Sequence, residues 1–445
     1  MAHRNSRAGL SRVIALPLAI GMAALVGCAP PGAEVGGSSN ASAGGEGVAA
    51  GADAAVYAAA LSSVDPITLA FGGHTAGPDN PSGRSYKEYT DIVTERSGGK
   101  ITFEHDWGGA KVSVDKMADG LGQARIDMGL YAPTYQPEEY PVVALFAGLS
   151  SVEHPDPIAG RLATFAARAE FASTWEPLQA EVAAHGIKGF YPIFATTGAV
   201  KMHCKGQDAP ESLGELRGKR VRISAPSHVG LAEALGMVPV SLTNPELFAA
   251  LQRGVVDCSI SGVTAMVTGG LMDVTDSFMT GAEPGHDWVE SPIAWGVSES
   301  AWSKLPVAAQ QLLWDTQPDM LELQIESGFV GFQDAMEAAR ERDWGFGNYA
   351  PDVTAVMDQY YAQERAQTVA QIEQQGVAPD GEAVLAQYEA LVDKWWTILT
   401  EELGYPTDAT WQGLPADYAP DMADIDVRPF VDRFYQEVLL PQRPA

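Results

Sequence analysis

The sequence has few cationic side chains, few known enzyme motifs and few long apolar runs. Its 445 residues include 28 lysines and arginines against 57 aspartates and glutamates, giving a formal net charge of −29. A protein that binds nucleic acid needs basic surfaces that displace counterions from phosphates, so we expect no nucleic-acid partner. An apolar content of 46% is too close to the globular average for a disordered or collagen-like chain.

The common catalytic motifs are absent from the sequence. There is no G-x-S-x-G, no H-E-x-x-H and no G-x-x-x-x-G-K-[ST], and no glycine fingerprint opens a helix after the first predicted strand. His203 with Cys204, and His286 with Asp287, are each a lone pair without a second pair of metal ligands at a useful spacing. We therefore expect a protein that is not an enzyme and that holds neither a metal nor a cofactor.

The amino-terminal residues have the pattern of a signal peptide. Arg4, Arg7 and Arg12 precede an apolar run over residues 13–26, which is too short to span a hydrocarbon core of about 30 Å. The run ends in Leu-Val-Gly before Cys28 and resembles the bacterial lipobox, in which the cysteine is diacylated and becomes the new amino terminus. We predict a lipoprotein signal peptide over residues 1–27 and a lipid anchor on Cys28. The alternative is an ordinary signal peptide followed by an incidental cysteine.

Glycine, alanine and serine dominate the residues after Cys28. Such a composition buries too little surface to offset the entropy of ordering, so we predict a flexible tether over residues 28–63. No later segment is both long and apolar enough to cross a bilayer. We therefore expect an extracytoplasmic body that is held at the membrane by its lipid anchor.

Strand-like and helix-like patterns alternate through the body, and no repeat of 20 to 50 residues is present. This alternation predicts an α/β fold with a mainly parallel sheet, whose ligand lies beyond the carboxyl ends of the strands. We predict a first lobe over residues 64–185 and a second lobe over residues 186–297. Hinge-spanning and carboxyl-terminal helices should follow over residues 298–403, and a carboxyl-terminal extension over residues 404–445.

Two cysteines remain if Cys28 carries lipid. Cys204 and Cys258 would then form an even pair in an oxidising compartment. We predict a disulfide between them, with two buried free thiols as the alternative.

One predicted strand combines arginines with apolar residues. Arg220 and Arg222 alternate with Val221 and Ile223, so one face of the strand is cationic and the other is apolar. A buried arginine needs an anion. It could be a carboxylate of the same lobe, or the carboxylate of an incoming ligand, whose two oxygens match the guanidinium fork.

Three blocks of the sequence resemble the solute-binding proteins of tripartite ATP-independent periplasmic (TRAP) transporters. Residues 88–101 are similar to that family's helix, glycine pair and strand, and residues 120–128 match its next region loosely. Residues 213–223 (LGELRGKRVRI) resemble the motif D-L-K-G-K-K-I-R. Residues 246–257 (ELFAALQRGVVD) resemble E-x-Y-x-A-L-Q-x-G-x-V-D-G.

The resemblance implies a two-lobed periplasmic-binding-protein-like fold with a hinge. Such a protein closes around a small organic acid and delivers it to an ion-driven membrane permease. The family's carboxylate-clamping arginine falls on Arg222, and the position of a second polar contact, usually asparagine, falls on Ser261. Some members have a second arginine that this chain lacks, although Lys201 lies close to that position. One bidentate contact with neutral donors suits a monocarboxylate, keto acid or zwitterion better than a doubly clamped dicarboxylate.

Four further residues are candidates for ligand contact. Asn244 falls where family members place a ligand-lining residue, and it can also cap the helix that begins at Pro245. His74 follows the first predicted strand, with an exposed loop histidine as the alternative. Tyr131 and Trp288 could form apolar walls of the cleft, and core packing is the alternative for both.

Two other functions fit the sequence less well. A lipid-anchored extracellular enzyme similar to a glycoside hydrolase would use paired carboxylates, which the acidic excess and ten tryptophans permit. A carboxylate sensor would bind the same acids and pass a signal to a membrane receptor. We expect a monomer with TRAP membrane permease subunits as its partners.

Overall fold

The computed structural model describes most of the chain after residue 46. The described residues are 47–73, 75, 77–79, 81–133, 136–151, 154–190, 199–223, 225, 227–242, 244–290, 292–411, 413 and 422–445. The predicted signal peptide, the predicted lipid anchor Cys28 and His74 lie outside this description, as does the side chain of Asn244.

The described residues form strands in two sheets. In chain order the strands are β1 (Ile67–Gly72), β2 (Ile101–Asp106), β3 (Met128–Tyr131), β4 (Ile187–Phe190), β5 (Val200–Cys204), β6 (Arg220–Ile223), β7 (Val238–Ser241), β8 (Cys258–Gly262), β9 (Ser277–Thr280), β10 (Ala294–Ser298) and β11 (Gly345–Asn348).

Helices separate most of these strands and dominate the chain after β10. They are α1 (Ala54–Leu61), α2 (Pro81–Arg96), α3 (Met117–Gly122), α4 (Pro141–Leu149), α5 (Ala159–Thr174), α6 (Glu176–Ala184), α7 (Leu213–Leu216), α8 (His228–Ala234), α9 (Asn244–Gln252), α10 (Ala265–Thr268), α11 (Glu299–Trp302), α12 (Val307–Asp315), α13 (Gln317–Glu341), α14 (Pro351–Gln374), α15 (Gly381–Thr397) and α16 (Arg428–Phe434). None of the described helices combines the length and apolar character that a bilayer span requires.

The first sheet has the strand order β2-β1-β3-β10-β4. β1 is parallel to β2 and β3, and β10 is antiparallel to β3 and β4. An aromatic cluster of Phe71, Tyr86 and Trp295 packs at its centre. Two strands of this sheet, β4 and β10, come from residues 186–297, which the sequence analysis assigned to the second lobe. The chain therefore leaves the first sheet after β4 and returns to it at β10.

The second sheet has the strand order β11-β9-β5-β8-β6-β7. β6 is parallel to β7 and β8, whereas β5 is antiparallel to both β8 and β9. Its edge strand β11 comes from the region predicted to be entirely helical. The carboxyl ends of β6 and β8 consequently lie at the same edge as the amino end of β5.

The second sheet has two faces of different chemistry, because residues paired across strands project to the same side. We call the first the apolar face. It consists of Met202, Cys204, Val221, Cys258, Ile260 and Met279, all buried in one hydrophobic cluster. Cys204 and Cys258 are directly opposite each other on this face and form a disulfide.

We call the opposite side the polar face. Its polar residues are Lys201, His203, Arg222, Ser259, Ser261 and Thr280, and the ring of Phe278 lies opposite His203 on the same side. All six polar side chains are buried. The apolar face is an ordinary sheet core, so the polar face is the one that needs a functional explanation.

Two long helices connect the lobes. α13 packs against α2 beside the first sheet and against α10 beside the second, and α14 packs against α4 and α8. Two glycines permit the close approach of α14. A Cβ at Gly148 would lie 2.2 Å from Thr368 Oγ1, and one at Gly230 would lie 2.5 Å from the Tyr360 hydroxyl. Each lobe is therefore fitted to the same helix.

The end of the predicted tether is ordered. α1 lies within residues 28–63 and packs against α12, burying Tyr57 and Leu61 on one side. Alanine is the best helix former, and the spacing of four residues places both side chains on one face. The Tyr57 hydroxyl donates a hydrogen bond to Asp315, and Arg443 forms an ion pair with the same carboxylate. Arg443 also donates to the main-chain oxygen of Val48, at 2.7 Å.

Candidate functional site

Arg222 lies on the polar face, between β7 and β8. Only 4% of its surface is exposed. Its Nε donates to the main-chain oxygen of Leu242 and its Nη1 to that of Ile260, each at 3.0 Å, and Nη1 lies 3.5 Å from Ser261 Oγ. These bonds orient the guanidinium on the polar face. The group is therefore held in a fixed geometry that suits a carboxylate.

Arg220 is engaged differently, although it is on the same strand. Its Nε and Nη2 donate to the two carboxylate oxygens of Asp257 at 3.0 and 2.7 Å. This pairing holds the pKa of the Asp257 carboxyl below its usual range. Arg220 thus has an internal carboxylate as its counterion, one of the two alternatives left open by the sequence. The aspartate that ends the third resembling block is the partner of Arg220.

Serine hydroxyls extend the polar face from Arg222 towards β5. Ser259 Oγ lies 2.5 Å from Ser261 Oγ, and both side chains are buried. On β5, the Nε2 of His203 lies 3.3 Å from the main-chain oxygen of Ser261. Burial, with a contribution from the charge of Lys201, lowers the pKa of His203 to about 4. The imidazole is therefore neutral near pH 7 and adds no positive charge to the site.

Lys201 is not available as a second cationic clamp. It is paired across the strands with Ser261, but its Nζ forms a buried ion pair with Asp287. The same carboxylate accepts hydrogen bonds from Thr280 Oγ1 at 3.0 Å and from the main-chain nitrogens of Gly281 and Trp288. A buried ammonium needs a counter-charge, and Asp287 provides it within the protein. In the sequence Asp287 stood out only as a metal-ligand candidate beside His286, because it is 86 positions from Lys201.

Trp411, from the carboxyl-terminal extension, covers this end of the polar face. The Lys201 ammonium lies 5.1 Å from the centre of its ring, and Phe278 and Phe332 pack against it. Its indole nitrogen donates to the main-chain oxygen of Pro155, beside α5, at 3.0 Å. One side chain of the extension therefore contacts both lobes.

The remaining candidates lie elsewhere. Tyr131 ends β3 in the first lobe and is fully buried, and this burial raises its pKa. Trp288 is fully buried in the hydrophobic cluster of the apolar face, and its indole nitrogen donates to the Tyr349 hydroxyl at 2.9 Å. These contacts are typical of a core residue, and ligand contact by Trp288 stays a prediction. Within the described ranges, no group of three or more His, Cys, Asp or Glu side chains could hold a metal ion.

The structure has two sheets bridged by long helices, with an oriented arginine near the carboxyl end of a strand. This is the architecture of a two-lobed solute-binding protein. The chain belongs to the bacterial extracellular solute-binding proteins of family 7 (DctP). The sequence profile of that family matches residues 72–328, which is more than half of the chain.

Solved structures share the fold. A TRAP solute-binding protein from Rhodoferax ferrireducens, in complex with copurified benzoate, is 18% identical with a TM-score of 0.62, and the match covers 75% of this chain and 99% of that one. A TRAP periplasmic protein from Desulfovibrio salexigens is 18% identical with a TM-score of 0.59, over 77% and 98% of the two chains.

A third structure is DctP7 of Bordetella pertussis, an extracytoplasmic solute receptor binding pyroglutamic acid. It is 15% identical with a TM-score of 0.56, over 72% of this chain and 99% of that one. These neighbours are matched almost completely, whereas about a quarter of this chain lies outside each match.

Proposed function

We propose that the protein is the extracytoplasmic receptor of a TRAP-type secondary transporter and that it captures a small organic acid at Arg222. The observation that carries the proposal is the placement of Arg222, whose guanidinium is buried on the polar face near the hydroxyl of Ser261 and is oriented by the main-chain oxygens of Leu242 and Ile260. Arg220, on the same strand, is partly exposed and paired with Asp257. The bound acids of the structural neighbours, benzoate and pyroglutamate, each carry one carboxylate.

The proposed mechanism requires binding and release without covalent chemistry. An acid enters between the lobes, pairs with Arg222, and is enclosed when the lobes close about the segments that join them. Closure excludes water and lowers the local dielectric, so the ion pair becomes stronger. Ser261 and Asn244 are the proposed uncharged contacts in the second lobe, and His74 and Tyr131 are the proposed contacts in the first.

The test compares Arg222→Ala with Arg220→Ala. Loss of the Arg222 guanidinium should weaken binding of benzoate or pyroglutamate by about 2–5 kcal/mol, because the buried carboxylate loses its charged partner. Arg220→Ala is the matched control and should leave affinity nearly unchanged. Calorimetry on the lipid-free protein measures both. Wild-type affinity in Arg222→Ala, or an equal loss in both variants, would remove Arg222 from the site.

We also propose that Cys28 anchors the receptor to the outer side of the membrane. The support is the lipobox-like sequence that ends in this cysteine. Cys28→Ser should move the protein from the membrane fraction to the soluble extracytoplasmic fraction, and mass spectrometry of the wild type should find a diacylated amino terminus. An unmodified Cys28 in the wild type would contradict the anchor.

A further inference from the structure

The ion pair between Lys201 and Asp287 lies on the same face as the proposed anion site. Lys201 is directly opposite Ser261 on β8, and Arg222 is opposite Ser259 on the same strand. Two strand spacings of about 4.8 Å and an offset of two residues along β8 therefore separate the backbones of the two cations by about 12 Å. That distance is comparable with the length of a small dicarboxylate plus the lengths of the hydrogen bonds that its two carboxylates accept.

Two cations at this separation would form a clamp for a ligand with two carboxylates. Asp287 removes that possibility, because its carboxylate pairs with Lys201 and accepts three further hydrogen bonds, from Thr280, Gly281 and Trp288. The side chains of Lys201 and Asp287 are each only 5% exposed, so water screens their interaction little. His203, between the two cations, adds no charge near pH 7.

We propose that Asp287 determines the charge of the ligand, restricting the site to acids with a single carboxylate by cancelling the charge of Lys201. This inference rests on the proposed binding of an organic acid at Arg222. A second carboxylate directed at β5 would have to displace the Asp287 carboxylate from Lys201 or lie beside it, and like charges in a buried site repel strongly. Asp287 is then a specificity-determining residue that does not need to touch the ligand.

The test measures the affinities of benzoate and isophthalate, which share a ring and carry one and two carboxylates. The wild type should bind benzoate in preference. Asp287→Asn frees the charge of Lys201 and should shift the ratio of the two affinities towards isophthalate by about tenfold or more. The double variant Lys201→Gln/Asp287→Asn removes both charges and should return the preference to benzoate.

Asp257→Asn is the matched control. It removes the carboxylate partner of Arg220, but the Arg220 side chain is 43% exposed, so water screens the freed charge and the ratio should stay near the wild-type value. If Asp287→Asn lowers stability, isophthalate should raise its melting temperature more than benzoate does, because the dianion replaces the missing counter-charge.

Lys201→Gln provides a second arm that does not depend on Asp287→Asn folding. It leaves an uncompensated Asp287 near the site and should weaken benzoate binding by about tenfold. Two results would overturn this inference alone, provided that benzoate binding still depends on Arg222. One is an unchanged ratio of benzoate to isophthalate affinity in Asp287→Asn, and the other is an unchanged benzoate affinity in Lys201→Gln. If neither these acids nor pyroglutamate bind the wild type, the proposed function fails and the inference fails with it.

Discussion

The apolar and polar faces of the second sheet use the same strands for different purposes. On the apolar face, Met202, Ile260 and the Cys204–Cys258 disulfide fill a hydrophobic cluster in which burial itself stabilises the fold. On the polar face, Lys201 and Arg222 are equally buried, and burying their charges costs free energy unless each has a suitable partner. A charge on the polar face must therefore be matched within the protein, as Asp287 matches Lys201, whereas the apolar face needs no such match. The following experiments probe each face separately.

The largest effect is expected from Lys201→Met on the polar face. It leaves the Asp287 carboxylate buried without its cation and should lower the free energy of unfolding by about 3–5 kcal/mol. Urea denaturation measures the change. Lys201→Met/Asp287→Asn, which has no buried charge here, should recover most of the loss. Equal losses in the single and double variants would show that packing, not charge, stabilises this position.

Removal of the disulfide tests the apolar face. Cys204 and Cys258 are 54 residues apart, and loop-closure entropy then predicts a loss of about 4 kcal/mol in Cys204→Ala/Cys258→Ala. Benzoate affinity of the folded variant should remain at the wild-type level, because the bridge projects away from Arg222. A large loss of affinity without a loss of stability would reverse the roles assigned to the two faces.

A pH titration tests His203. Its folded-state pKa of about 4 lies below the ordinary value of 6.5, so the unfolded chain binds more protons between these values. Stability should consequently fall as the pH drops from 6.5 to 4, by up to about 3 kcal/mol. Protonation would place a second positive charge beside Lys201.

His203→Gln is the control for this titration. Burial raises the pKa of Glu364 to about 7, and a raised carboxyl pKa has the opposite effect, stabilising the fold as the pH falls. That contribution is common to both proteins, so the difference between wild type and His203→Gln isolates the histidine. Parallel stability curves for the two proteins would contradict the assignment.

The smallest effect is expected from Trp411→Phe, which alters the cover of the polar face. The phenyl ring retains most of the packing against Phe278 and Phe332 but cannot donate to Pro155. Loss of this hydrogen bond should cost about 1 kcal/mol in stability, measured by urea denaturation. Trp411→Ala is the contrasting variant, and its loss should be clearly greater because it also leaves a cavity. An unchanged midpoint in Trp411→Phe would mean that the bond contributes nothing.

The sequence predicted those features that depend on local pattern. The alternation of Arg220 to Ile223 indicated a strand with a cationic face, and the resemblance to the TRAP family placed the anion contact on Arg222 rather than Arg220. The structure pairs Arg220 with Asp257, and the contact of Arg222 with an anion stays a prediction. The two-lobed α/β fold was also predicted correctly, because strand and helix patterns alternate along the sequence.

Features that depend on tertiary pairing were not predictable in this way. β4 and β10 look like other buried strands, and only the pairing of β10 with β3 and with β4 assigns them to the first sheet. Asp287 and Trp411 are far along the chain from Lys201, and neither lies in a motif. α1 was assigned to the tether because its alanines resemble the linker in composition, and its helical structure depends on packing against α12.

The contact between Arg443 and Val48 has a consequence for the order in which the molecule assembles. These residues are 395 positions apart, and Asp315 joins the same network through Tyr57 and Arg443. During synthesis β1 and β2 can pair early, but the network around Asp315 cannot form until Arg443 has emerged. A variant that lacks the Arg443 side chain would hold the segment before α1 less firmly, and we expect proteases to cleave it there.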